Sequence, residues 1–156
     1  MKVFISCPFT GLCDETKYEV KDEYKDFFNK LIDNIISKGM DYYLAIKREN
    51  WGIEHKGPQE CTLSDFNGVK ESDALIVIPG NNKSKGISGG VHIELGWASA
   101  LKKDIHILLE DGIEYSPVVH GLNVLTNTKY YKCNDFLNDN MLEVINNILN
   151  DLLKEN

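Results

Sequence analysis

The run Ala74-Leu75-Ile76-Val77-Ile78, which is followed by Pro79-Gly80, decides the fold class of this chain. Consecutive apolar residues without alternation are typical of a strand that is buried on both faces of a parallel sheet. The Pro-Gly pair ends this strand. A polar, glycine-rich loop is predicted over residues 81–90 and a helix over residues 91–101. This succession of strand, loop and helix is the building unit of an α/β fold.

Short apolar runs alternate with longer segments of helical periodicity on both sides of this unit. We predict further strands over residues 3–6, 42–46, 105–109 and 129–131. Helices are predicted over residues 27–36, with Gly39 as the C-terminal stop, and over residues 58–72 and 134–154. The pattern predicts one α/β domain over residues 1–156. Its single doubly wound, flavodoxin/Rossmann-like sheet would have five mainly parallel strands, with helices on both faces.

The composition limits the possible partners. Of the 156 residues, 42% are hydrophobic and 26% are charged, which is ordinary for a globular domain. The net charge of -7 and the isoelectric point near 5.1 argue against a nucleic-acid polymer, which normally requires a basic surface. A small phosphate ligand remains compatible, because the free N–H groups at a helix start bind phosphate.

Targeting and redox signals are weak. No secretory signal and no apolar stretch of about 20 residues is visible, so we expect a cytoplasmic protein without a membrane partner. The four cysteines form no C-x-x-C pair, and they do not cluster with histidines. We therefore expect reduced thiols, no metal site and no cofactor.

The doubly wound fold predicts where a ligand binds, at the carboxyl ends of the strands. This region includes residues 7–11, residues 79–90 and the start of the following helix. There Ser88, Gly89 and Gly90 precede the helix, so a hydroxyl, close backbone approach and a helix N-terminus would come together. Such a sequence is a reasonable phosphate site, although it is also typical of a simple loop with an N-cap.

Two carboxylates are candidates for catalysis. Glu94 lies in the first turns of that helix, and Asp65 lies on the helix before the central strand. A pair of carboxylates near a phosphate site suits cleavage of a glycosidic bond. Each residue is equally compatible with an ordinary role, Glu94 as an acid at a helix start and Asp65 as a solvated surface charge. His92, two residues before Glu94, is a candidate for substrate contact.

The stretch from Ser88 to Ser99 resembles the active-site helix of the nucleoside 2-deoxyribosyltransferase superfamily, and most closely its branch of CMP N-glycosidases from the mildiomycin and blasticidin S pathways. Three further motifs support the resemblance: Phe4-Ile5-Ser6-Cys7-Pro8-Phe9, Arg48-Glu49-Asn50-Trp51-Gly52, and Asp65 with the later Ser72-Asp73-Ala74. Residues 115–122 are similar to a later loop of the family. The similar motifs follow the family's order through most of the chain.

The resemblance implies roles for individual residues. Glu94 would be the nucleophile that attacks C1′ and forms a covalent ribosyl intermediate, which water then hydrolyses. Asp65 would be the second carboxylate and assist departure of the base. Ser88 stands where deoxyribosyltransferases carry an aspartate, so a 5′-phosphate would no longer be repelled. Phe4 stands where deoxyribose-specific relatives carry tyrosine, which would leave room for a ribose 2′-hydroxyl.

Further substrate contacts are expected around these residues. The candidates are Pro8, Phe9, Arg48, Trp51, Gly80, Gly89, Gly90, His92 and Ser116. Thr10 departs from the mildiomycin enzyme, which has arginine there, so a hydroxymethylated cytosine is not specifically indicated. In relatives that hydrolyse nucleotides, a serine at the position of Ser116 comes from the neighbouring subunit. The family completes its site across a dimer interface, so at least a homodimer is expected.

Three functions follow from these observations. The preferred hypothesis is a nucleoside 5′-monophosphate N-glycosidase that hydrolyses CMP to cytosine and ribose 5-phosphate. A 2′-deoxyribosyltransferase or a deoxynucleoside 5′-monophosphate hydrolase on the same fold is the first alternative. A nucleotide-binding module without turnover is the second, and the paired carboxylates argue against it.

Overall fold

The computed structural model describes residues 1–54, 56–80, 88–134 and 136–155. Its centre is one five-stranded sheet with the order β2-β1-β3-β4-β5. The strands are β1 (Lys2–Ser6), β2 (Asp41–Tyr43), β3 (Ala74–Val77), β4 (Asp104–Glu110) and β5 (Thr128–Cys133). All four strand pairs are parallel. The predicted α/β fold with a five-stranded, doubly wound sheet is confirmed.

The helices of the described residues are α1 (Asp22–Ser37), α2 (Ala45–Arg48), α3 (Pro58–Glu71), α4 (Gly89–Ala100), α5 (Pro117–His120) and α6 (Asp139–Lys154). Short 3₁₀ turns lie at Thr10–Leu12, Asn50–Gly52 and Leu122–Val124. None of the helices in these ranges has the length and apolar character that a membrane crossing requires.

The sheet has a hydrophobic core on each face. Alternate side chains of a strand point to opposite faces. In β1, Val3 and Ile5 therefore pack in one core with α1 and α6. Phe4 points the other way and packs in a second core with Val69 of α3 and Leu95 of α4. Helices thus cover both faces, as predicted.

Four predicted boundaries are wrong. Helix α1 begins at Asp22 rather than at residue 27. The strand predicted over residues 42–46 ends at Tyr43, and residues from Ala45 onward form α2. Leu44 and Ile46 are still buried, so the apolar alternation reflected burial rather than strand pairing. Helix α4 begins at Gly89, earlier than predicted. Helix α6 begins at Asp139, later than predicted, because the Asn138 side chain caps it by accepting a hydrogen bond of 2.9 Å from the N–H of Met141.

The direction in which strands are added to the sheet reverses between β1 and β3: β2 lies on one side of β1, and β3, β4 and β5 follow on the other. Doubly wound folds bind ligands at the carboxyl ends of the strands at such a point. Ser6 and Val77 are register partners at these ends. Part of the predicted loop, residues 81–87, lies outside the described residues. Helix α4 resumes the described chain beside this edge of the sheet.

Candidate active site

A cavity of about 280 Å³ opens at the carboxyl ends of β1 and β3. This volume is near the lower end of the range of small-molecule sites, roughly 300–1,000 Å³. Its wall includes five of the residues predicted from sequence. They are Phe9, Asp65, Ser88, Gly90 and Glu94. The structure therefore brings both predicted catalytic carboxylates to one cavity with the start of α4.

Glu94 lies in the second turn of α4, and its carboxylate reaches the end of β1. Its Oε2 accepts a hydrogen bond from the hydroxyl of Ser6, the last residue of that strand. Burial raises the pKa of Glu94 to about 8. The hydrogen bond from Ser6 opposes this rise in pKa, whereas the charge of Asp65 adds to it. Glu94 is thus a poorly solvated carboxyl group whose proton is lost only near neutral to alkaline pH.

Asp65 is held by two neighbours. The phenol of Tyr43 donates a hydrogen bond of 2.8 Å to Asp65 Oδ1, and Nη2 of Arg48 lies 3.5 Å from the same oxygen. Burial raises the pKa of Asp65, while the Tyr43 hydrogen bond and the Arg48 charge oppose that rise. Asp65 is therefore fixed in orientation and faces the cavity from α3.

Gly68 explains how α3 approaches the sheet closely enough for this contact. A Cβ atom at Gly68 would lie 2.9 Å from the Tyr43 ring and 3.0 Å from the Phe4 ring. Tyr43 in turn stacks on Phe4, with ring centroids 5.0 Å apart and planes inclined by 12°. Because Gly68 has no side chain, α3 packs directly on this aromatic pair. Asp65 on the same helix is thereby brought within hydrogen-bond distance of the Tyr43 phenol.

A third carboxylate, Glu49, lies in the cavity wall and is only 6% exposed. Its Oε1 accepts hydrogen bonds from Arg48 Nη2 at 2.8 Å and from the Cys61 thiol at 3.0 Å. Within the described residues, the buried Nε of Arg48 has no hydrogen-bond partner. Arg48 does not line the cavity itself, but it holds two carboxylates of the cavity wall, Glu49 and Asp65.

The start of α4 leaves its first N–H groups without a side-chain cap. Ser88 occupies the N-cap position and its hydroxyl makes no capping bond. A Cβ at Gly89 would meet nothing within 4 Å, and one at Gly90 would meet only the Ser88 hydroxyl oxygen at 3.6 Å. Among the described residues, open space, the Ser88 hydroxyl and the helix N–H groups therefore meet at this end of the cavity, which suits an anion.

The other predicted contact residues lie outside the cavity wall, and their roles remain predictions. Phe4 is fully buried beneath Tyr43, and Pro8 and Gly80 are also buried. Trp51 adopts a left-handed backbone with φ of 61°, and Lys47 Nζ lies 4.6 Å from its ring centroid.

The remaining three contact candidates sit at helix starts. Gly89 is the first residue of α4. His92 Nδ1 lies 2.9 Å from the Ser88 carbonyl oxygen. Ser116 caps α5 by accepting a hydrogen bond from the N–H of Val118 at 3.3 Å.

Sequence reasoning did not identify several residues of the site. They are Ser6, Cys7, Tyr43, Glu49, Lys56 and Cys61. Ser6, Cys7 and Glu49 lie inside the motifs quoted above, so their place in these motifs could have identified them as site residues. Cys61 precedes Asp65 by one helical turn, which puts both on one face of α3. In the part of the chain that the structure describes, no group of three or more His, Cys, Asp or Glu has a metal-binding arrangement.

Comparisons with known proteins agree with this geometry. No protein-family model and no curated protein sequence matches the chain, whereas solved structures do. The chain is similar to BlsM, with 30% identity over 95% of this chain and 86% of BlsM and a TM-score of 0.73. It is similar to BcmB, a CMP N-glycosidase of Clostridium botulinum, with 27% identity, coverage of 95% and 99%, and a TM-score of 0.70.

A more distant similarity concerns the fold alone. The 2-deoxyribosyltransferase of Bacillus psychrosaccharolyticus is 17% identical over 89% of each chain, with a TM-score of 0.57. Fold, site and similarities together define a glycosyl-handling enzyme that processes nucleosides. The chain belongs to the nucleoside 2-deoxyribosyltransferase-like superfamily, and within it the chain lies near the CMP N-glycosidases.

Proposed function

We propose that this chain is a nucleoside 5′-monophosphate N-glycosidase that hydrolyses CMP to cytosine and ribose 5-phosphate. One observation carries the proposal: a half-buried carboxylate, Glu94, shares a cavity with a second carboxylate, Asp65, at an uncapped helix start. Similarity to the CMP N-glycosidase BcmB supports the choice of reaction.

The reaction would proceed in two displacements at C1′. Ionised Glu94 attacks C1′, the C1′–N bond breaks, and its electron pair leaves with the base. Water then attacks C1′, the C1′–O bond to Glu94 breaks, and the electron pair returns to the carboxylate. The proton released by water ends on the departed base, so no proton is lost overall. Asp65, fixed by Tyr43, would orient the sugar and assist base departure.

The start of α4 would bind the 5′-phosphate. Ser88 donates its hydroxyl there, and the free N–H groups and the positive end of the helix dipole favour an anion. Lys56 lies in the same cavity wall and adds a positive charge among three carboxylates. These features support a nucleotide over a nucleoside as substrate.

The wall around Glu49 supports a base with an exocyclic amino group. Both hydrogen bonds to this carboxylate end on Oε1. Its Oε2 has no partner among the described residues and is available to accept a hydrogen bond from an amino group. Cytosine offers such a donor, whereas uracil presents a carbonyl oxygen at the same position.

A second copy of the chain would complete the site. An apolar groove of about 460 Å³ lies between α3 and α4, with Leu63, Phe66 and Trp97 in its wall. Leu63 is 63% exposed. These are the helices that carry Asp65 and Glu94, so a partner seated there would lie beside the cavity. Light scattering on wild type and Leu63→Glu tests the dimer: the variant is expected to be monomeric, and a monomeric wild type would contradict it.

The first test of function is chromatography of ribo- and deoxynucleosides and their 5′-monophosphates after incubation with the protein. The proposal expects free cytosine from CMP, little from cytidine, and none with Glu94→Ala. Glu143→Ala, at an exposed position on α6, is the matched control and should behave as wild type. Reaction with deoxynucleotides only would favour the deoxynucleotide hydrolase. Base exchange would favour the transferase, and bound but unaltered nucleotide would favour a binding module.

A further inference from the structure

Ser6 lies where the sheet meets the candidate nucleophile. As the last residue of β1, it pairs in register with Val77, and its carbonyl accepts a hydrogen bond of 2.8 Å from the N–H of Ile78. Its backbone is therefore fixed by β3. Alternation along β1 places its side chain on the same face as Phe4, which is the face covered by α3 and α4.

The residue type at this position has a physical consequence. Ser6 is 1% exposed, so its hydroxyl requires a partner inside the protein. That partner is Oε2 of Glu94. An alanine at this position would leave the carboxylate without the donor, whereas a threonine would keep a hydroxyl. Among the described residues, Glu94 has no other hydrogen bond.

We propose that Ser6 is a positioning residue that holds Oε2 of Glu94 and leaves Oε1 as the oxygen that attacks C1′. This assignment rests on the proposed function. In the first displacement, a bond forms between Oε1 and C1′ while the C1′–N bond breaks and its electron pair leaves with the base. Oε2 becomes the ester carbonyl oxygen, which still accepts the hydrogen bond from Ser6.

The same contact acts in the second displacement. Water adds to C1′, the C1′–Oε1 bond breaks, and the electron pair returns to the carboxylate. Negative charge therefore grows on Glu94 as it leaves, and the Ser6 hydroxyl stabilises that charge with a charge-assisted hydrogen bond. The Ser6 proton stays on Ser6 throughout, and the proton of water goes to the departed base.

Other charged or titratable groups also face Glu94. Asp65 approaches from α3, the Tyr43 phenol from β2 and the Cys7 thiol from the segment after β1. Glu49 and Lys56 line the same cavity. Substitution of Ser6 leaves all five in place. A change in the titration of Glu94 on this substitution therefore reports the Ser6 contact.

The test measures the ionisation of Glu94 directly, by carbon NMR of protein labelled at the glutamate side-chain carboxyl and assigned with Glu94→Gln. In Ser6→Ala, we expect the pKa of Glu94 to rise by about one unit, because a hydrogen bond to a charged group is lost. Ser6→Thr keeps a hydroxyl and should return the pKa towards the wild-type value. Ser99→Ala, which removes another buried hydroxyl from α4 itself, should leave it unchanged.

The kinetic readout is the pH profile of kcat/KM for release of cytosine from CMP. The part of the profile in which kcat/KM rises with pH should move up by about one pH unit in Ser6→Ala. Below the pKa of Glu94, this corresponds to a roughly tenfold loss in kcat/KM. An unchanged Glu94 pKa in Ser6→Ala overturns the assignment of Ser6, whether or not the protein is active. If the Glu94 pKa is shifted in Ser6→Ala but wild type releases no base, the hydrogen bond is supported and the proposed function is contradicted instead.

Discussion

Tyr43 donates its phenolic hydrogen to Oδ1 of Asp65 at 2.8 Å, and so connects the core of the sheet to the second carboxylate of the cavity. The Tyr43 ring is stacked on Phe4, which is fully buried. Phe4 is not among the residues that line the cavity, and it contacts Tyr43 from beneath. The aromatic pair is the rigid base on which Asp65 is positioned.

Removal of the Tyr43 hydroxyl tests this relationship. In Tyr43→Phe, Asp65 loses a hydrogen bond that lowers its pKa, and only the longer contact with Arg48 still orients its carboxylate. We expect kcat for base release to fall by roughly 5- to 30-fold, the effect of about 1–2 kcal/mol. Tyr42→Phe on the same strand is the control, since Tyr42 packs in the opposite core. Equal kcat values in the two variants would contradict a role for this hydrogen bond.

The close approach of α3 makes a second prediction. Gly68→Ala places a Cβ 2.9 Å from the Tyr43 ring, so α3 must shift, and we expect a loss of about 1–3 kcal/mol in the free energy of unfolding together with reduced activity. Gly96→Ala on α4 meets nothing within 4 Å and should gain up to about 1 kcal/mol from helix propensity. Urea denaturation of both variants measures the difference. A stabilised Gly68→Ala would show that the predicted crowding does not exist.

The pKa of Glu94 predicts how stability depends on pH. Folding raises this pKa from 4.5 to about 8, so between these values the folded protein holds a proton that the unfolded chain has released. The free energy of unfolding of wild type should therefore fall as pH rises through this window, by several kcal/mol at most. Glu94→Gln has no such proton and should show a smaller decline. Parallel curves for the two proteins from pH 5 to 8 would argue against a raised pKa.

The phosphate site predicts a change of substrate. Ser88→Asp adds a negative charge at the start of α4, where the 5′-phosphate is expected, and we predict that KM for CMP rises by roughly 10- to 100-fold. Cytidine should bind no worse than to wild type. Ser88→Ala separates the added charge from the lost hydroxyl and should raise KM less. An unchanged KM for CMP in Ser88→Asp would place the phosphate elsewhere.

The sequence was sufficient for the sheet and for the principal carboxylates. The unbroken apolar run of β3 predicts a parallel sheet, and the rule that ligands bind at the carboxyl ends of the strands predicts the position of the cavity. Glu94 and Asp65 were identifiable because both lie in motifs that resemble a known family.

The supporting contacts depended on tertiary geometry. Ser6 and Glu94 are 88 residues apart, and their hydrogen bond follows from the register of β1 with β3 and the placement of α4. The bond between Tyr43 and Asp65 requires both the end of β2 at Tyr43 and the absence of a side chain at Gly68. Local sequence patterns misassigned that strand end, because Leu44 and Ile46 are as well buried at the start of α2 as they would be in a strand.

The stereochemistry of CMP cleavage in a water–methanol mixture tests the central claim, that Glu94 forms a covalent bond to C1′. Two successive displacements retain the configuration at C1′, whereas direct attack by solvent inverts it. We predict that the methyl riboside 5-phosphate produced by wild type is the β anomer, like CMP itself, and that Glu94→Gln produces none. The α anomer as product, or the same product at an undiminished rate from Glu94→Gln, would contradict the account.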